Sequence, residues 1–81
     1  MSEIEMAWDE VRAANTMGWR VGPPYFHDER RCWEQYAYDA REIPVDGKRS
    51  REWIAVGPTE VGCVRSMASC LRDLSADRWP R

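Results

Sequence analysis

The chain is poor in the residues that most often carry chemistry. It has one histidine, His27, one lysine, Lys48, and three cysteines in 81 residues. An odd cysteine count without framework spacing argues against a secreted disulfide scaffold and for a reducing cytoplasm. Uncharged runs reach only seven residues, as in 13–19, far below the roughly twenty needed to span a bilayer. The acidic start, Met1-Ser2-Glu3, is not a secretory leader, so no membrane partner is expected. Neither a Gly-x-Gly-x-x-Gly nor a Walker-type loop is present, which removes the usual nucleotide sites.

Metal and nucleophile chemistry fail on spacing. His27, Cys32, Cys63 and Cys70 add up to a Cys₃His set, but seven helical residues separate Cys63 from Cys70 by about 10.5 Å along the axis. That is too far for two sulfurs on one tetrahedral zinc and beyond the disulfide limit of roughly 7 Å between Cα atoms. A Cys–His hydrolase needs an orienting third group. His27 has only Cys32 near it in sequence, so no catalytic residue, metal or cofactor is expected.

What the chain does have is tryptophan and arginine. Five Trp supply most of the buriable area of a domain near the lower size limit for folding without staples. Trp8, Trp33 and Trp53 sit inside periodic segments and are the core candidates, whereas Trp19 and Trp79 flank helices as candidate contact residues. Eleven of the twelve cations are Arg, which favours planar and stacking contacts. The net charge of −2 divides into −4 over residues 1–29 (six acids, two arginines) and +2 over residues 30–81 (ten cations, eight acids).

One domain of α-β-β-α order follows. Ser2-Glu3-Ile4-Glu5 is a capping box that starts a helix over residues 1–18, with Ile4, Ala7, Trp8, Val11 and Ala14 on one face and Gly18 as its stop. Gly22-Pro23-Pro24 forbids a helix through residues 19–27, which reads as an extended connection with Tyr25 and Phe26 packing inward. Residues 28–43 fit either a helix or a strand by periodicity. The turn residues Pro44-Val45-Asp46-Gly47 and a following apolar stretch, Trp53 to Val56, favour a hairpin over 32–56. Thr59 caps a second helix over 59–75, whose stripe is Val61, Val64, Met67, Ala68, Leu71 and Leu74, widened by Cys63 and Cys70. A tail covers 76–81. Two amphipathic helices on one face of an antiparallel hairpin make a small α+β domain with its other face open.

The candidate binding residues are Tyr36 and Tyr38 on the open face, Lys48, Arg49, Arg51 and Trp53 at the hairpin tip, and Trp79 in the tail. Aromatic and Arg residues without catalytic geometry suggest a non-enzymatic protein-binding or regulatory module. The alternative is a nucleic-acid binder using Lys48–Trp53, cations beside a stacking aromatic, although a pI near 5.3 and the acids Asp46 and Glu52 weigh against it. A homodimer is compatible with either reading.

The run Arg51-Glu52-Trp53-Ile54-Ala55-Val56-Gly57-Pro58-Thr59-Glu60, followed by Val64-Arg65-Ser66-Met67-Ala68-Ser69-Cys70-Leu71-Arg72, resembles small uncharacterised proteins of actinobacteria and their bacteriophages. The resemblance covers roughly residues 33–81 and closes on Asp77-Arg78-Trp79-Pro80-Arg81. It implies a phage or mobile-element accessory protein and carries no activity with it.

Overall fold

Ser2 stands in extended conformation ahead of the first helix, accepting the Glu5 N–H on its hydroxyl while the Glu5 carboxylate reaches back to the Ser2 N–H. This reciprocal cap opens α1 (Glu3–Ala14) in a computed structural model that describes residues 1–39 and 52–77. Four strands follow, β1 (Trp19–Val21), β2 (Tyr25–His27), β3 (Cys32–Asp39) and β4 (Glu52–Gly57), and then α2 (Glu60–Asp77).

The first helix ends earlier than the position of Gly18 suggests. Asn15 caps it through its backbone N–H to the Val11 carbonyl, and its side chain both donates to the Trp19 carbonyl and accepts from the Trp19 N–H. Gly18 lies in the turn beyond, at φ +73°, a conformation open to glycine at little cost.

Among the described residues every strand pairing is antiparallel, and every one involves β3. One edge of β3 carries β4 in unbroken register from Trp33↔Gly57 to Tyr38↔Glu52. The other edge carries β1 at one end and β2 at the other, with Gly22 N–H continuing the β1 ladder to the Tyr36 carbonyl. The strand reading for residues 28–43 therefore holds over Cys32–Asp39, and the positions after Asp39 lie outside the described residues. The connection over 19–27, by contrast, is two strands in line with each other.

Between those two strands the register shifts by one. Gly22 stands opposite Tyr36 and Tyr25 opposite Glu34, so Pro23 and Pro24 together oppose the single residue Gln35. This is a bulge, placed where two residues without an N–H must sit on an edge. The Gln35 amide bridges the gap by donating to the Gly22 carbonyl at 2.8 Å.

One face of the sheet is covered by α2, and α1 packs against α2. Val64, Met67, Ala68 and Leu71 of the expected stripe meet Ala37 and Ala55 of the sheet and Ala7, Val11 and Ala14 of α1. Thr59 caps α2, its hydroxyl accepting the Gly62 N–H. The tryptophans sort differently from the sequence expectation. Trp19 is the buried one, at 5% exposed, whereas Trp53 is 42% exposed and meets Trp19 edge-on at its border. Trp8 and Trp33 are half-buried. Both strands, β1 and β4, are edges of the sheet, but Trp19, whose backbone N–H and carbonyl are both bonded to the Asn15 side chain, belongs to the buried cluster that holds Ala7, Val11 and Ala14 of α1.

Candidate functional site: the open face of the sheet

Strict alternation assigns each strand residue to a face. Ala37, Ala55 and Trp53 point to the helices, so Tyr36, Tyr38, Ile54 and Val56 point away. Cross-strand register arranges the open face in three rows: Arg20 and Tyr38; Tyr36 and Ile54; Tyr25, Glu34 and Val56. No described helix lies on it, and Ile54 and Val56 are each half exposed, with Tyr25 at 40%.

Tyr25 reaches this face because of the bulge. With uninterrupted alternation after Gly22 it would point to the helices. The extra residue turns it over, and its ring lies on that of Tyr36 with centroids 5.9 Å apart and planes within 10°. The expectation that Tyr25 and Phe26 both pack inward is thus corrected. Phe26 does point toward the helix layer, but at its margin, 46% exposed and edge-on to Trp33.

Beneath the tyrosines lies a carboxylate. The Glu34 side chain is 3% exposed; one oxygen accepts the Tyr25 hydroxyl at 3.0 Å and the other accepts the Arg30 guanidinium at 3.1 Å. Both oxygens are therefore satisfied, as a buried carboxylate requires. Hydrogen bonding to Tyr36, desolvation and hydrogen bonding to Glu34 push the Tyr25 phenol well above the ordinary tyrosine range. The group belongs to the protonated state, in which it can donate to Glu34.

The thiols lie elsewhere. Burial, with the neighbouring Cys32 and Glu34, pushes the Cys63 thiol up to about 11, and its Sγ–H rests on the Ala55 carbonyl at 3.6 Å. Burial, with Asp73 beside it, also raises Cys70. His27 and Cys32 stand opposite each other across the β2–β3 ladder, yet the His27 Nδ1 is occupied as acceptor of the Arg30 N–H. Among the described residues no three of His, Cys, Asp and Glu group as metal ligands.

Of the residues proposed from sequence, the structure brings Tyr36 and Tyr38 together on one face and sets Trp53 on the other. Lys48, Arg49, Arg51 and Trp79 lie outside the described residues. Sequence reasoning missed Tyr25, Ile54 and Val56. The last two were legible from alternation about Ala55, whereas Tyr25 depends on a bulge that only the ladder reveals.

No protein-family model, no curated protein and no solved structure matches this chain. No helix among the described residues is long and apolar enough to cross a membrane.

Proposed function

We propose that the protein is a non-enzymatic binding module that docks on another protein through the open face of its sheet. The observation behind this reading is the stacked Tyr25–Tyr36 pair beside the half-exposed Ile54 and Val56. Aromatic rings already held by packing lose little freedom on binding and are the residue type that concentrates interface energy. Arg20, on the same face, and Arg30, at its margin, are exposed cations. The partner that fits is a protein patch with an apolar centre and acidic side chains around it. The resemblance over residues 33–81 supports a bacteriophage accessory protein that works in the cytoplasm of an actinobacterial host and modulates a host protein.

The test is to isolate a partner from host lysate and measure its affinity again with both proteins purified. Tyr36→Ala is expected to weaken binding at least about tenfold, roughly 1.4 kcal/mol, and Arg20→Glu to slow association. Ser69→Ala, on the exposed side of α2, leaves both unchanged. A purified partner indifferent to Tyr36→Ala, or no partner that survives purification, would falsify this function. Nucleic acid is the second reading, because Trp53 is exposed directly after the Lys48–Arg51 cluster. It requires a mobility shift that weakens steeply with salt and disappears in an Arg49→Ala, Arg51→Ala double variant.

A further inference from the structure

The two edges of the sheet are built differently. The β1/β2 edge is interrupted by Pro23-Pro24 and its bulge, devices that blunt an edge against further pairing. The β4 edge has none of them. Its register with β3 runs without a break from Glu52 to Gly57, it contains no proline or lysine, and no described residue pairs with its outer side. Its exposed side chains are apolar on both faces, Trp53 on one and Ile54 and Val56 on the other.

The ladder fixes which backbone groups point outward. Tyr36 gives its carbonyl to Gly22 on the β1 side, so in an antiparallel alternation Gln35 and Ala37 bond toward β4. Their partners Ala55 and Trp53 therefore point inward. The N–H and C=O groups of Ile54 and Val56 face out.

We infer that β4 pairs antiparallel with β4 of a second copy of this chain about a two-fold axis at Ala55. Only registers that set outward groups against outward groups can form a ladder. This one places Ile54 opposite Val56 of the second copy and the reverse, giving four hydrogen bonds. Trp53 then lies opposite Gly57, a large ring over a residue without a side chain. No charge lies between Trp53 and Gly57, so like charges do not meet across the pair, and Glu52 falls outside it. The alternation keeps both helix layers on the same side of one continuous sheet. Because the remaining edge of each copy carries Pro23-Pro24, association closes at two. The groups that pair are the backbone edge of β4, whereas the tyrosine face is read by side chains, of which Ile54 and Val56 border both surfaces. A ladder this short covers less than the roughly 800 Å² per partner of a standard interface, so the dimer is concentration-dependent, with a dissociation constant on the order of 10 µM.

Sedimentation velocity from about 1 µM to about 500 µM tests it. The native chain is expected to pass from monomer to dimer and no further. Ile54→Pro removes an outward N–H without removing a bond to β3, so it should remain folded by circular dichroism and weaken the dimer at least about tenfold. Val56→Lys charges the edge at a half-exposed position and should do the same, which keeps the test intact if Ile54→Pro fails to fold. Tyr36→Ala leaves the dimer intact. A monomer throughout the range, a dimer insensitive to both edge variants, or a dimer lost in Tyr36→Ala overturns the inference.

Discussion

Tyr25 and Tyr36 lie ring on ring, 5.9 Å between centroids, although the alternation of β1 alone would put them on opposite faces of the sheet. The contact links the bulge at Pro23-Pro24 to the state of the Tyr25 phenol, which hydrogen bonding to Tyr36, desolvation and Glu34 raise above its ordinary value. Below an unfolded value near 10 both folded and unfolded chains hold this proton, and the stabilisation is complete. Above it the unfolded chain ionises first, so stability falls as pH rises through the alkaline range. An ultraviolet titration should show one late phenol, and Tyr36→Phe should move it back toward the ordinary range.

Deleting Pro24 should remove the bulge and restore plain alternation along the first edge. Tyr25 would then follow Gly22 by two residues, still opposite Glu34 on the open face, with Phe26 still toward the helix layer. Retention of the late phenol in the titration is the expected result, and its loss would mean that the stack depends on the bulge itself and not only on the pairing of Tyr25 with Glu34.

Glu34 and Arg30 form one ion pair but should not be worth the same. The Glu34 side chain is 3% exposed and the Arg30 side chain 67%. Glu34→Ala leaves the Tyr25 hydroxyl without its acceptor and a void beneath the ring, at a cost of about 2 kcal/mol. In Arg30→Ala water takes over the exposed bond, and the cost stays below about 1 kcal/mol. Urea melts of the two variants give the order, and a reversed order would show that the guanidinium carries the site.

Gly57 is required by a close approach between strand and helix. A Cβ there would stand 2.6 Å from the Cys63 nitrogen and 2.9 Å from Gly62 backbone carbon, atoms that cannot swing aside. Gly57→Ala is expected to cost about 2 kcal/mol or more. Gly18→Ala meets no neighbour within 4 Å but keeps a positive φ of 73°, for about 1 kcal/mol. Thermal melts should rank Gly57→Ala as the less stable variant.

Thiol reagents should distinguish the cysteines. With its thiol raised to about 11 by burial first and by Cys32 and Glu34 second, Cys63 forms almost no thiolate at pH 8 and is covered besides. Ellman's reagent at that pH should modify the half-buried Cys32 before Cys63, which reacts only when denaturant opens the core. Rapid labelling of Cys63 in the folded protein would contradict its placement against Ala55.

The helices were legible because their signals are local: a reciprocal cap at Ser2 and Glu5, a threonine cap at Thr59, and a stripe from Val64 to Leu71 that needs only the helical period. The β3–β4 pairing was legible from turn residues between two apolar stretches. The β1 and β2 strands were not, because strands this short have no period of their own and exist only by pairing with β3. The tryptophans went astray for a related reason. Burial depends on which residues gather around a side chain in space, and nothing near Trp19 in sequence shows that it will join Ala7, Val11 and Ala14 in the core. On the candidate site, Tyr36 and Tyr38 followed from alternation in one strand, while Tyr25 followed from a register shift that spacing alone conceals.

The arrangement of the core has a temporal consequence. Val64, Met67, Ala68 and Leu71 supply its centre, α1 rests on them, and α2 is the final element of those described. During synthesis the early helix must wait for its support, and Ala37 and Ala55 stay wet until Leu71 has emerged. Nascent chains halted before that point should be cut readily by proteases, and resistance should arrive in a single step once the second helix is free to close over the sheet.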